Sequence, residues 1–302
     1  TTFVDPSNPE NFLNAAQENT RVFFAESLGN PKLDVLDLKA ISKAAQTYKV
    51  PFIVDNTVAT PFLLNPIEHG ANIVIHSLTK YIGGNGTSLG GVIIDAGNFD
   101  WSNGKFPEFT EPSAGYHGLK YYEVLGAASF IAKVRIEGLR DLGASLSPFN
   151  AFQIIQGLET LAIRIKKHSE NALELAKWLQ KRPEVAWVNY PGLISSKYYD
   201  LAQEYLPEGQ SGIVTFGLKG GYEAAKKVAD ERVIDRQHLG GRSAGDDTLL
   251  GEHRDARRQP AQRFQIVRHH DDGKTELLLQ HANELDEVVG EIGVEHSGRF
   301  VE

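Results

Sequence analysis

A chain of 302 residues, 41% hydrophobic and 23% charged, has the composition of a folded protein with a substantial core. Its net charge of −8 excludes a general binder of nucleic-acid backbones, which needs clustered Lys and Arg, and no apolar run approaches the length of a membrane span. There is no cysteine and hence no disulfide framework, so a reducing, cytoplasmic setting is the expectation; methionine is absent too, which predicts a piece of a longer protein.

Arg21 to Ser27 (RVFFAES) is a short apolar run bounded by polar residues, as in a buried strand. Leu38, Ile41, Ala44, Ala45 and Tyr48 then recur at helical spacing. Pro51 to Thr57 (PFIVDNT), Asn72 to Ser77 (NIVIHS) and Gly90 to Asp95 (GGVIID) read as three further strands. Nearly continuous apolar strands with an intervening helix predict an α/β fold: a largely parallel sheet covered on both faces, its first two strands joined by a right-handed crossover. Tyr116 to about Leu179 reads as long helices. After Pro183 the strands VAWVNYPG and GIVTFGL alternate with the helices SKYYDLAQEYL and YEAAKKVADE, which predicts a second, smaller α/β unit. The boundary is expected near Gly143 to Pro148.

Ligands of parallel α/β sheets gather at the carboxyl ends of the strands, and three such ends here are rich in reactive groups. One carries Glu26 and then Asn30. The next carries Asp55, Asn56 and Thr57, and the third His76, Ser77, Thr79 and Lys80. Singly, each has a plainer account: Asp55-Asn56-Thr57 as a turn or cap, the hydroxyls as partners of local backbone, Lys80 as a surface lysine, Gly83-Gly84-Asn85-Gly86 as a flexible loop without nucleotide-cradle spacing. Their coincidence favours one chemistry. Pyridoxal 5'-phosphate needs a lysine amine for a Schiff base, an acid to keep its ring nitrogen protonated, and hydroxyl or N–H donors for its phosphate. Lys80, Asp55, and the pair Ser77 and Thr79 answer to those needs in turn.

The blocks ESLGNP and VDNTVATPFLLNPIEHGANIVIHSLTKYIGGNG, with their spacing, closely resemble the cystathionine γ-synthase-like family of pyridoxal-phosphate enzymes of cysteine and methionine metabolism. FDWSNGKFPEFTEPSAGYHGLKY, LRDLGASLSPFNAFQIIQGLETL, WVNYPGL and YLPEGQSGIVTFGLKGG resemble its O-acetylhomoserine sulfhydrylase branch in particular. The resemblance runs from Thr1 to about Glu231. It implies an aspartate-aminotransferase-like fold (pyridoxal-phosphate transferase fold type I), incomplete at both ends: residues 1–145 as part of the cofactor-binding large domain and 146–231 as part of the small one. It implies that Lys80 carries the cofactor, Asp55 pairs with its ring nitrogen, Ser77 and Thr79 bind its phosphate, Asn30 hydrogen-bonds its 3'-oxygen and Thr57 lies against it beside Asp55. It further implies a homo-oligomer, usually a tetramer, and γ-replacement on O-acetylhomoserine by sulfide or methanethiol, giving homocysteine or methionine and acetate. Methionine γ-lyase or cystathionine γ-synthase activity, or an inactive fragment, are the alternatives.

Beyond Glu231 the composition changes. Residues 1–231 hold 16 Lys, 5 Arg and 4 His, whereas 232–302 hold 1 Lys, 9 Arg and 6 His, with Phe264 and Phe300 the only aromatics. None of the family's later motifs is legible there. This tail is expected to be either a surface appendage or a disordered or out-of-frame segment. Its RHHDD run (Arg268 to Asp272) lacks metal-ligand spacing and reads as a solvated patch, so no metal is expected.

Overall fold

The structure, a computed structural model, describes residues 1–228 in full, together with the backbone of two strands at 262–268 and 275–281. The first sheet contains β1 (Phe23–Glu26), β2 (Phe52–Asp55), β3 (Ile73–Ser77) and β4 (Gly91–Asp95) in that order. β1, β2 and β3 run parallel, and β4 returns antiparallel to β3. All four lie where the apolar runs predict them.

Register decides which side chains share a face. Glu26 is aligned with Asp55 and Asp55 with Ile75. Side chains alternate along a strand, so Phe24, Glu26, Ile53, Asp55, Ile73, Ile75 and Ser77 share one face. Phe23, Phe52, Val54, Val74 and His76 share the other and are all buried. The helix Leu38–Tyr48 belongs to the core that covers this second face, burying Leu38, Ile41, Ala44 and Ala45. Asp37 starts that helix by accepting the Ala40 N–H at 3.0 Å, a cap stabilising by about 1 kcal/mol. Lys49 ends it in the left-handed conformation, φ 54°.

An aromatic cluster covers part of the first face. Trp101, Phe106, Phe109 and Tyr121 are buried with Ile73, and Ile53 and Ile75 pack against them. Trp101 and Phe130 stack with ring centroids 5.0 Å apart.

The helices after Tyr116 are more broken than the periodicity predicts. Tyr121–Leu125 stops at Gly126, whose φ of 52° and ψ of −126° no right-handed helix accommodates; a tighter turn (Gly126–Ala128), the helix Ser129–Lys133 and a wider turn (Val134–Asp141) follow. Two regular helices come next, Pro148–Glu159 and Leu161–Leu179, meeting at Thr160. The second buries Leu161, Ile165, His168, Ala172, Ala176 and Leu179 along one stripe.

The second sheet, ordered β5-β6-β8-β7, comprises β5 (Val185–Asn189), β6 (Ile213–Leu218), β7 (Gln262–Arg268) and β8 (Thr275–His281), every pairing antiparallel. The helix Tyr199–Tyr205 lies between β5 and β6 in sequence, and 221–228 is helical, both as predicted. β7 and β8 fall in the segment for which the sequence suggests no element. The remaining residues of that segment, with His269 to Asp272 of the RHHDD run, lie outside the described residues.

Candidate active site

The carboxyl ends of β1, β2 and β3 lie side by side, so Glu26, Asp55 and Ser77 come to one face at one rim of the sheet, with Asn30, Thr57, Thr79 and Lys80 on the segments that follow those ends. Asp55 is half-buried, and its Oδ1 accepts the Thr57 N–H at 2.9 Å, which fixes the carboxylate's orientation. Thr57 Oγ1 accepts the Ser77 N–H at 2.8 Å and so ties the ends of β2 and β3 together. Beneath them the buried Ser27 Oγ donates to Asn56 Oδ1 at 2.7 Å, and Asn56 Nδ2 donates to the carbonyls of Thr60 and Leu64 at 3.0 and 2.8 Å. Asn56 is therefore a structural anchor.

On the neighbouring end, Glu26 accepts the Asn30 N–H at 2.9 Å. Its carboxyl stands above the ordinary carboxylate value because desolvation raises it more than the Asn30 N–H lowers it, and the charge of Asp55 raises it further. Asn30 itself is exposed at the rim.

After β3 the chain makes a wide turn, Leu78–Ile82, which Lys80 interrupts with φ −90° and ψ −128°. Gly83 N–H donates to Leu78 O at 2.9 Å and Gly84 N–H to Lys80 O at 2.8 Å, so the backbone on both sides of the lysine is held while its side chain is exposed. Thr79 Oγ1 accepts the Gly90 N–H at 3.1 Å and donates to Gly90 O at 3.4 Å, a long bond that a stronger acceptor such as a phosphate would outcompete. The half-buried Ser77 hydroxyl makes no hydrogen bond among the described residues and lies on the face of Asp55.

One expectation changes. The sequence places His76 with the rim, but alternation puts it on the opposite face, 4% exposed, with Nδ1 buried and without a partner among the described residues. Burial holds its imidazole below the ordinary value; a hydrogen bond to the Asn56 backbone and the charge of Asp55 oppose that shift.

The sequence reading overlooked what lies behind the lysine turn. The helix Pro148–Glu159 crosses its back so closely that a Cβ on Gly157 would sit 1.9 Å from Gly83 O. Ser88 Oγ donates to Gln153 Oε1 at 2.5 Å, and a Cβ on Gly90 would meet Ile154 Cδ1 at 2.9 Å. Gly157 in the middle of an otherwise helical pattern was the available signal, because an interior glycine costs about 1 kcal/mol against alanine and asks for a packing reason.

A cavity of about 670 Å³ opens at the outer edge of β1 and includes Phe24, Glu26, Gly29 and Tyr198 in its lining. It reaches one end of the rim and does not include Asp55, Ser77, Thr79 or Lys80. The chemistry of the rim identifies the site better than the depth of that cavity.

A mostly parallel sheet presenting an amine, an oriented carboxylate, hydroxyls and a side-chain amide along adjacent strand ends defines an α/β protein built to hold a phosphate-bearing aldehyde. The donor set fits pyridoxal phosphate: one primary amine, one acid, and two hydroxyls, that of Ser77 bonding no described residue and that of Thr79 only weakly engaged. The comparisons agree. The sequence profile of the family described as Cys/Met metabolism PLP-dependent enzyme matches residues 1–241, past the point where motifs are legible by eye. The O-acetyl-L-homoserine sulfhydrylase of Leptospira meyeri is 56% identical over 237 residues, 76% of this chain and 54% of that protein. O-acetyl-L-homoserine sulfhydrylase 1 of Thermus thermophilus is 50% identical over 247 residues, 81% of this chain and 58% of that protein. Among solved structures, a Campylobacter jejuni chain described as an O-acetylhomoserine (thiol)-lyase matches with a TM-score of 0.71 at 41% identity, over 75% of this chain and 57% of that one. That structure contains N'-pyridoxyl-lysine-5'-monophosphate. The O-acetylhomoserine sulfhydrylase of Wolinella succinogenes also gives a TM-score of 0.71, at 31% identity, over 95% of this chain and 73% of that one.

The chain belongs to the Cys/Met metabolism PLP-dependent enzyme family, with the fold type I architecture of its solved relatives. It spans about half the length of the curated relatives it matches.

Proposed function

We propose that this protein is a pyridoxal-phosphate-dependent transferase that replaces the acetoxy group of O-acetylhomoserine with sulfide or methanethiol, giving homocysteine or methionine and acetate. The observation that carries the reading is the alignment of Asp55, Ser77, Thr79 and Lys80 on adjacent strand ends, with a Ser77 hydroxyl that has no partner among the described residues. The names of the relatives at 56% and 50% identity support the choice of substrate.

Pyridoxal phosphate, when bound, supplies the electron sink that makes protons next to an amino acid's nitrogen acidic. The rest is done by this chain's side chains. The Lys80 amine would hold the cofactor and, when free, would move a proton at the substrate's α-carbon. Asp55, oriented by the Thr57 N–H, holds a proton on the ring nitrogen. Ser77 and Thr79 would donate to the phosphate, Asn30 would donate to the 3'-oxygen, and Thr57 would lie beside Asp55 against the ring.

The large-domain and small-domain assignments, 1–145 and 146–231, belong to the same proposal. They are supported by the absence of helix and strand over 143–147. A homo-oligomer, a tetramer in the family resemblance, is supported by the stripe Phe149, Phe152, Ile155 and Leu158, which stays 66%, 58%, 53% and 47% exposed on the helix behind the lysine turn.

The test adds pyridoxal phosphate to the full chain, follows its visible absorption band, and reduces the product with borohydride before mass analysis. The expected result is one cofactor attached at Lys80 and none in Lys80→Ala. Acetate released from O-acetylhomoserine only when sulfide is present then establishes the reaction. A wild-type chain that takes up no cofactor overturns the reading, and acetate release independent of sulfide points to a lyase.

A further inference from the structure

The lysine turn is flanked by one more polar group, and nothing in the proposed reaction uses it. Arg164 projects from the first turn of the helix Leu161–Leu179 and is half-buried. Its Nη2 donates to Gly157 O at 2.7 Å and to Ile82 O at 3.3 Å, and its Nε donates to Thr160 Oγ1 at 3.0 Å. The guanidinium also lies over Gly84, where a Cβ would come within 2.6 Å of Arg164 Cζ. Among the described residues it makes no ion pair with a carboxylate. A half-buried charge without a counter-charge is costly unless its donors are hydrogen-bonded, and here Nε and Nη2 are.

Those bonds join two elements. Gly157 O is an end-of-helix carbonyl of Pro148–Glu159, and Ile82 O is the second carbonyl after Lys80. Gly84, beneath the guanidinium, donates its N–H to Lys80 O. One guanidinium nitrogen, Nη2, therefore bridges the end of the helix Pro148–Glu159 to the lysine turn on its carboxyl side, while Nε fixes the group against Thr160.

Tyr81 grips it from the other direction. It is buried, with the His168 ring 5.7 Å away and its hydroxyl against Gly212, where a Cβ would come within 3.0 Å of it. Gly157, Arg164 and His168 follow at spacings of seven and four residues, so Arg164 and His168 fall one turn apart on one stripe of the helix Leu161–Leu179.

We infer that Arg164 is a positioning residue: it fixes the backbone on the carboxyl side of Lys80 and thereby sets where the lysine amine meets its carbonyl partner. This inference rests on the proposed cofactor chemistry for its consequence, and on hydrogen bonds within the chain for its cause.

The experiment compares wild type, Arg164→Gln and Arg164→Lys, each as the full chain. Amide hydrogen exchange is read over residues 82–84 without cofactor, pyridoxal phosphate affinity is read by absorbance, and the global unfolding midpoint is read in denaturant. Arg164→Gln is expected to accelerate exchange at Gly83 and Gly84, and to weaken cofactor capture, each by about tenfold or more, the scale of lost hydrogen bonds from a charged donor. Arg164→Lys, which keeps the charge and one reachable carbonyl, is expected to recover part of both. Exchange at 82–84 unchanged in Arg164→Gln, or accelerated equally throughout the helix Leu161–Leu179, overturns the inference. So does accelerated exchange at 82–84 with unaltered cofactor affinity. A wild-type chain that captures no cofactor defeats the functional reading; the inference then fails as a statement about catalysis, while the exchange result still decides whether Arg164 holds the turn.

Discussion

The two sides of the lysine turn are built on opposite principles. Toward the rim it meets polar groups with capacity to spare: the Ser77 hydroxyl, the weakly bonded Thr79 hydroxyl, and the exposed Asn30 and Lys80 side chains. Toward the rear, spare capacity is largely used up. Glycines at 83, 90 and 157 allow backbone and side chains into contact, and Arg164 and Ser88 bond to carbonyl or amide oxygens. The difference teaches where precision originates. A long flexible lysine can serve as a fixed reactive group only if its backbone cannot move, and here close packing behind the turn supplies that restraint.

Filling the rear is expected to do the most damage. Gly157→Val places a branched side chain where even a Cβ would overlap Gly83 O, and should destabilise the fold by about 3 kcal/mol, the upper end of overpacking costs. Denaturant unfolding measures it. A variant as stable as wild type would show that the helix Pro148–Glu159 can withdraw from the turn.

Editing the front should leave the fold intact and move only the ligand. Ser77→Ala removes a hydroxyl that bonds no described residue, so its unfolding midpoint is expected to match wild type. Pyridoxal phosphate should bind about tenfold more weakly for the loss of one hydrogen bond to a charged group. An absorbance titration reads the affinity; unchanged affinity would remove Ser77 from the phosphate site.

The smallest effect belongs to His76, on the buried face. Its folded value lies below the ordinary 6.5, so the unfolded chain takes up a proton first as the pH falls. The stability that neutral His76 contributes is complete above 6.5 and is lost as the pH drops through the lower folded value. Unfolding midpoints measured across that window should slope downward toward acid, and His76→Gln should flatten the slope. An unaltered slope would assign the acid sensitivity to other groups.

How far the sequence foretold these regions follows the same division. The rim was legible because strand-end chemistry is local: Asp55 and Ser77 are read from their place after short apolar runs, and parallel pairing does the rest. His76 misled, since a residue adjacent to Ser77 in sequence faces the other way in a strand. The rear was hardly legible. Arg164 lies far from Lys80 along the chain and is ordinary in a helix rich in Lys and Glu, so only tertiary packing reveals its bonds to Gly157 and Ile82. Gly126 shows a similar limit in the fold: an apolar stripe predicted a long helix, and one left-handed glycine divides it.

The antiparallel return of β4 has a consequence for how this protein can change. Leu78 N–H donates to Gly90 O at 2.9 Å and Gly90 N–H to Thr79 Oγ1 at 3.1 Å, so the ends of the segment between them are fastened directly beneath the lysine. Its tip, around the exposed Gly86, has open space where a side chain would begin. Extra residues inserted there would lengthen a loop already clasped at its base, at an entropic cost that grows only slowly with length. A tag placed in this tip is thus expected to leave Lys80 in place.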